Sequence, residues 1–248
     1  MSSGTRTVED IVRLTGASAI TVRRDLAELA EEGVLRRVRG GAAPAVARGA
    51  GYPFDLRRDE HTATKAALAR AAAALVRPGD AVLVDNGTTA LAVAHELAGV
   101  GITALALSLH AAAALAARPG NQVIVPGGPV DPDGLSFTGP GAAEAIGAMR
   151  FDMAILGSCA AHPDTGLTVA GWGDAQAKRA VLAATRRAVL VATADKFGRT
   201  AAHRFARISD LDTIATTTDA PAAVLQEARP AGVSVLTIDD PEHRPGAG

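Results

Sequence analysis

The stretch Ala81-Val-Leu-Val-Asp-Asn-Gly-Thr-Thr-Ala90 decides the fold. Its unbroken apolar run describes a strand buried on both faces, the habit of parallel sheets covered by helices. Gly87 then makes a turn and Thr88-Thr89 open a helix. Strand, glycine turn and helix start in that order form the first half of a βαβ unit. The helix start offers free N–H groups, a dipole and two hydroxyls at the carboxyl end of a strand, which suits an anion, phosphate above all. Open α/β sheets bind their ligands at that edge. Asp85 would repel a phosphate aimed at it, so it is expected to bind sugar hydroxyls or to brace the loop. On this stretch alone, an ordinary strand–turn–helix capped by threonine stays open as the alternative.

Outward from it, short apolar runs alternate with helical patterns. Strands are expected at Ala81–Asp85, Ile102–Ser108, Gln122–Pro126, Met153–Gly157, Ala188–Thr193, Asp212–Thr216 and Ser234–Ile238. Helices are expected at Thr64–Val76, Thr89–Ala98, Leu109–Ala117, Gly141–Met149, Ala175–Arg186 and Pro221–Ala228. The class is therefore α/β with a mostly parallel sheet. Several loops reach the same edge: Ser108, the glycines of Pro126-Gly127-Gly128-Pro129, Gly157-Ser158, and Thr193-Ala-Asp-Lys-Phe-Gly198. Lys196 brings a cation able to neutralise a phosphate oxygen, against the blander reading of a solvated loop lysine. The chain has three lysines (Lys65, Lys178, Lys196) among 25 basic residues, so each stands out from the arginines.

Composition narrows the function classes. Hydrophobic residues make up 48% and aromatics 3%, so the core is Ala, Val and Leu, suited to helices packed closely on a sheet. No apolar run reaches the roughly 18–20 residues of a membrane-spanning helix. The start, Met1-Ser-Ser-Gly-Thr-Arg, lacks the order of a signal peptide, and a cytoplasmic location is expected. A lone cysteine, Cys159, excludes an internal disulfide and a thiolate zinc site; it is expected to pack as a small apolar group near the pocket. The six histidines show no ligand spacing, so neither metal nor cofactor is expected. Gly139-Pro-Gly141-Ala-Ala-Glu144 imitates a dinucleotide fingerprint, but its third glycine position is Glu144 and no clear strand leads into it.

The N-terminal residues have a different texture. Val8–Leu14 reads as a short amphipathic helix, Gly16-Ala17 as a turn, and Ser18 as the cap of a second helix. Val22, Leu26 and Leu29 fall on one stripe and are expected to be buried. Ile20, Thr21 and Arg24 face the other way with Arg23 flanking, and Arg24 is spaced to pair with Glu28. That face matches what a major groove accepts: guanidinium forks for guanine or phosphate, a hydroxyl and methyls for thymine. Val34–Gly41, with Arg36, Arg37 and Arg39 ahead of Gly40-Gly41, reads as a β-hairpin wing that touches phosphates. An amphipathic hairpin with a solvated charged face is the bland alternative. Ala42–Tyr52, small and Gly/Pro-bearing, reads as a linker.

Ser18-Ala-Ile-Thr-Val-Arg-Arg-Asp-Leu26 and Leu29-Ala-Glu-Glu-Gly-Val-Leu-Arg-Arg-Val-Arg-Gly-Gly-Ala42 resemble the winged helix-turn-helix of the DeoR family of bacterial transcriptional regulators. The later residues Lys65-Ala-Ala-Leu-Ala, Asp85-Asn-Gly-Thr-Thr, Pro126-Gly-Gly, Asp152-Met-Ala-Ile-Leu-Gly157, Thr165-Gly-Leu-Thr168, Ala177-Lys-Arg179 and Lys196-Phe-Gly198 resemble its C-terminal domain, in the same order. The departures are Arg39 for the usual His, Ala106-Leu107-Ser108 for Thr-Asn-Ser, Ala160 for a glycine, and Thr193 and Asp195 for Asp and Ser. The family's winged helix opens with a further helix ahead of Val8, for which the seven preceding residues are too few. The resemblance implies a sensor akin to ribose-5-phosphate isomerase and glucosamine-6-phosphate deaminase that detects phosphorylated sugars.

The expected boundaries are therefore a DNA-binding domain at 1–44, a linker at 45–60, a sensor at 61–240 and a disordered tail at 241–248. The DNA-contacting residues expected are Ser18, Ile20, Thr21, Arg23, Arg24, Arg36, Arg37, Arg39 and Gly40. The effector-contacting residues expected are Asp85, Gly87, Thr88, Thr89, Ser108, Gly127, Gly128, Gly157, Lys178 and Lys196. The expected function is a transcriptional regulator that binds double-stranded operator DNA as a homo-oligomer under control of a phosphorylated sugar or related metabolite. The alternative is a sugar-phosphate isomerase or deaminase, which would need a carboxylate base among Asp85, Asp164 and Asp195. The net charge of −1 is no objection to DNA: residues 1–49 carry eight arginines against six acids, and the remainder is mildly acidic.

Overall fold

The computed structural model describes residues 6–31, 35–38, 40–44 and 54–242. Two compact units result, Met1–Pro53 and Phe54–Gly248. In the first, strand β1 (Arg6–Thr7) leads into helix α1 (Val8–Thr15), helix α2 (Ala19–Glu31) and an antiparallel hairpin of β2 (Leu35–Val38) and β3 (Gly41–Pro44). Helix α1 starts on a reciprocal cap: Asp10 N–H donates to Thr7 Oγ1 at 3.1 Å and Thr7 N–H to Asp10 Oδ2 at 3.3 Å. It stops at Gly16, whose φ of 70° is left-handed. Ser18 Oγ accepts from Thr21 N–H at 3.1 Å, the cap expected for α2.

Val22, Leu26 and Ala42 form the buried core of this unit, with Val8, Ile11, Val12, Ala17 and Leu35 against them. Leu29 does not join them and is 37% exposed, because the eight-residue α1 covers the Val22–Leu26 stretch and Leu29 lies a turn beyond. The hairpin's two glycines have separate reasons. Gly40 turns with φ 82°, and a Cβ on Gly41 would sit 1.9 Å from the carbonyl oxygen of Arg6, because β1 pairs there with β3. The return strand runs on to Pro44, past the expected end of the wing. Residues 1–5 ahead of β1, residues 32–34 and Arg39 lie outside the described residues, as do most of the expected linker and of the expected tail.

The second unit opens with α3 (Phe54–Asp59) and α4 (Thr62–Ala73), followed by β4 (Ala81–Val84), α5 (Thr88–Glu96), β5 (Thr103–Ala106), α6 (Leu109–Leu115), β6 (Gln122–Ile124), α7 (Pro140–Gly147) and β7 (Met153–Leu156). Then come β8 (Ala160–His162), β9 (Gly166–Val169), α8 (Trp172–Ala184), β10 (Ala188–Val191), β11 (His203–Ala206), β12 (Thr213–Thr217), α9 (Ala222–Ala228) and β13 (Ser234–Ile238). Seven strands form one sheet in the order β13-β12-β10-β7-β4-β5-β6. Every neighbouring pair in it is parallel. All seven expected strands and all six expected helices are present, shifted by a few residues at their ends.

Both faces of the sheet are covered, and side chains alternate between two cores. Leu83, Leu105, Ala154 and Leu190 face the core that includes α7, α8 and α9. Val82, Ala104, Met153 and Val189 face the core of α4, α5 and α6. A second sheet, β11-β9-β8, is antiparallel and was not anticipated. Residues 54–59, expected in the linker, form α3 because Phe54 is buried, stacked on His110 at 4.6 Å, with its N–H donating to Asp133 Oδ1 at 3.1 Å. Glu242, expected in the tail, accepts from Ala63 N–H at 2.8 Å and so caps α4.

Asn121 ties this frame at one point. Its Oδ1 accepts from the N–H groups of Gly101 and Ile102 at 2.9 and 3.2 Å, and its Nδ2 donates to the carbonyls of Leu97 and Leu115 at 2.8 and 3.1 Å. Asn121→Ala leaves these backbone groups short of partners and is expected to cost about 2–3 kcal/mol, read as a lower midpoint in urea unfolding with an unchanged slope.

Candidate functional site

The chain runs from β4 outward through β5 to β6, then reverses through β7 to β10, β12 and β13. The reversal falls between β4 and β7, and the crevice beyond their carboxyl ends is where open sheets of this kind take ligands. Asp85, the residue after β4, is fully buried there. Its N–H donates to Ile155 O at 3.1 Å, and its Oδ2 accepts from Gly157 N–H at 2.7 Å and from Lys178 Nζ. Among the described residues, Asp85 Oδ1 has no hydrogen-bond partner. Lys178, on α8, is 2% exposed and lies 3.5 Å from Asp174 Oδ1, which accepts from Asn86 Nδ2 at 3.2 Å.

Burial pulls the Lys178 ammonium toward neutrality, but the carboxylates of Asp174 and Asp85 outweigh it and hold the group above the ordinary lysine range. Burial raises Asp174 above the ordinary carboxylate range, with Asp85 adding to the rise and Lys178 opposing it. Asp85 thus braces the loop, one of its two expected roles, by fastening β4 to β7 and α8.

Around this bridge lie the other expected effector residues. Gly87 starts α5 with no side-chain cap, Thr88 is buried and Thr89 half-buried. Ser108 is buried, and its Oγ caps α6 by accepting from Ala111 N–H at 3.1 Å. Gly127 and Gly128 have φ of 77° and 84°, with open space where side chains would stand. Lys196 follows β10 in a short turn and pairs with Asp195 at 3.2 Å, as does Arg199 at 3.4 Å. Burial would raise Asp195, but Lys196, the Thr193 hydroxyl and Arg199 outweigh it and keep the carboxyl below its usual range. Cys159, expected to be packed, is exposed: its position falls between the end of β7 and β8, where the chain turns at the rim.

Three residues escaped the sequence reading as site residues. Lys65 on α4 is buried, donates to the Arg57 carbonyl, and is pushed down to about 8, first by burial and then by the nearby Lys196 charge. Its rarity as one of three lysines was the available signal. Asp174 stands four residues before Lys178, the helical pair spacing, and Asn86 sits inside the motif that decided the fold.

In the first unit, Ile20 is 80% exposed and Arg23 and Arg24 are exposed. Ser18 and Thr21 join hydroxyls at 2.9 Å. Arg24 lies 3.5 Å from Asp25 and 3.8 Å from Glu28, the second pair being the expected one. Such exposed pairs contribute about 0.2–1 kcal/mol and yield readily to a phosphate. Arg23 lines a hollow of about 470 Å³ with Val8, Val12, Arg13 and Gly40. Arg36 and Arg37 lie on β2, opposite Ala43 and Ala42; Arg39 is outside the described residues.

Comparison with known proteins bears on both units. The family model of a DeoR-like helix-turn-helix domain matches residues 1–45, and that of the DeoR C terminal sensor domain matches residues 60–218. The transcriptional repressor AccR of Agrobacterium fabrum is 35% identical over 80% of this chain and 78% of its own length. The glycerol-3-phosphate regulon repressor of Escherichia coli is 30% identical over 88% of this chain and 86% of its own. The putative aga operon transcriptional repressor of Escherichia coli O157:H7 is 28% identical over 96% and 89%. Among solved structures, a ribose 5-phosphate isomerase from Methanocaldococcus jannaschii aligns over 56% of this chain and 55% of its own, with 18% identity and a TM-score of 0.41.

Lys178→Met leaves the Asp85 carboxylate buried beside a single N–H donor and is expected to cost about 3–5 kcal/mol. Adding Asp85→Asn removes the stranded charge and is expected to recover most of that loss. Urea unfolding of the two variants checks this; a double variant no more stable than Lys178→Met alone contradicts it.

Proposed function

We infer, because this chain belongs to the DeoR family of transcriptional regulators, that it binds operator DNA through its winged helix and that a phosphorylated sugar or related metabolite at the sheet's carboxyl edge changes that binding. The chain is a DNA-binding regulator and not an enzyme. The observation that carries the effector reading is the convergence of two lysines, Lys65 from α4 and Lys196 from the loop after β10, close enough that the Lys196 charge disfavours the charged form of Lys65. An anion bound between them relieves that repulsion. The uncapped start of α5 supplies backbone N–H groups, and Gly127-Gly128 leave room for a sugar.

Asp85 argues against catalysis, since its Oδ2 is already engaged by Lys178 and by the Gly157 N–H. The glycerol-3-phosphate regulon repressor names a small phosphorylated polyol, and a compound of that class is the effector proposed here. Ser18, Ile20, Thr21, Arg23 and Arg24 present the DNA-reading face of α2, and Arg36, Arg37, Arg39 and Gly40 are the wing residues assigned to phosphate contacts. Reading two half-sites calls for at least two copies of the chain, so the working form is a homo-oligomer in the cytoplasm. The ligand acts by binding one arrangement of the protein more tightly than the other.

Two outcomes are expected. Arg23→Ala with Arg24→Ala weakens binding to duplexes selected by the wild-type protein at least about tenfold and flattens the dependence of log affinity on log salt, read by fluorescence anisotropy; unchanged affinity overturns the DNA assignment. For the effector, the pKa of Lys65 near 8 sets the window. An anion favours the charged lysine, so affinity is full between about pH 6, above which a phosphate ester is a dianion, and that value, and declines above it. Thermal shifts with a sugar-phosphate panel across this range check the decline, and Lys65→Gln is expected to weaken binding and remove it.

A further inference from the structure

Away from this edge lies an open hollow of about 220 Å³ lined by Arg179, Arg204, Phe205, Ala206, Arg207 and Asp210. At about 30 Å³ per water, the space equals roughly seven waters, enough for a phosphate group with some of its hydration. Three arginines and one aspartate are among the lining residues, a formal net charge of two positive. Among the described residues none of the three arginines forms an ion pair, whereas Asp210 is committed to the Arg207 N–H at 2.7 Å. Arg179 is held in place rather than free: its carbon Cζ lies 5.3 Å above the Trp172 ring, and its Nη2 donates to the Arg204 carbonyl. Trp172 in turn meets His203 edge-on at 5.6 Å.

We propose that this hollow is a second anion site, for a phosphate group carried by a small molecule and gripped by Arg179, Arg204 and Arg207. A planar fork presents paired donors to phosphate oxygens, and Arg179 loses little freedom on binding because Trp172 and the Arg204 carbonyl already orient it. Concavity favours a compact phosphate over a duplex backbone, which would lie along a surface stripe. Neither Lys65 nor Lys196 lines this hollow, although Phe205 of its lining has Lys178 Nζ 5.6 Å from its ring centroid. Arg179 directly follows Lys178 on α8, so the two sites share that helix.

Trp172 is the sole tryptophan of the chain and reports on the hollow through its stack with Arg179. Inorganic phosphate titrated into the full-length protein, at ionic strength held constant with chloride, is expected to change Trp172 emission saturably. Arg204→Gln and Arg207→Gln, both at exposed positions that leave the stack in place, are each expected to weaken the midpoint about tenfold. Lys196→Ala is expected to leave it unchanged, which separates failure here from failure of the effector reading. The proposal is overturned by a response equal to that of chloride, by a response lost in Lys196→Ala and kept in both arginine variants, or by one seen with a DNA duplex and absent with phosphate.

Discussion

The contact between Asp85 and Lys178 organises the sensor unit, because two charges are buried where the sheet reverses direction. Neither is tolerable there alone: an unpaired carboxylate or ammonium in a low-dielectric interior costs several kcal/mol. Asp85 therefore needs α8 to deliver Lys178, and it needs β7 to present the Gly157 N–H. The strand after the switch point, the strand before it and the helix that follows β9 are fastened together by one carboxylate oxygen. Its other oxygen has no hydrogen-bond partner among the described residues.

That constraint divides labour among the cations. Lys178 is consumed by the frame: paired with Asp85 and Asp174, it has little positive potential to offer a ligand. Lys65 and Lys196 are differently placed. Lys65 is buried beside a like charge with a backbone carbonyl as its partner, so its ammonium is held under tension. A phosphate that enters near them relieves the repulsion between the two ammonium groups. The same sequence signal, a scarce lysine among arginines, thus marks two opposite roles, and only burial and partners tell them apart.

The parallel sheet was legible because its strands are short apolar runs and its helices are Ala-rich segments that end at Gly or Pro. The strand β4 and the start of α5 were read almost to the residue. The antiparallel sheet was not, since β8, β9 and β11 are three or four residues long and include Ala160, Gly166 and Arg204, with no alternation to see. Phe54 was hidden by the composition around it, and its burial depends on His110 and Asp133, far along the chain. Leu29 failed for the converse reason: a helical wheel assigns a face but cannot say how far the facing helix extends. In the site, spacing revealed Asp174 with Lys178 only as a generic helix pair; that both reach Asp85 and Asn86 is a product of the crossover.

The helix starts set α5 apart. Helices α1, α2 and α6 begin under the side chains of Thr7, Ser18 and Ser108, and α4 receives the Glu242 carboxylate. Their N–H groups are in part already satisfied. Three other helices begin at glycine with no side-chain cap: α5 at Gly87, α7 at Gly139 and α8 at Gly171. Helix α7 places Pro140 at its first position, which removes a donor, and α8 carries Asp174 in its first turn, so its positive end has an anion of its own. Among these three, α5 alone has neither a proline nor an acid in its first turn, and it stands directly after Asp85 at the switch point. Its donors and dipole are left for a group that the chain does not supply.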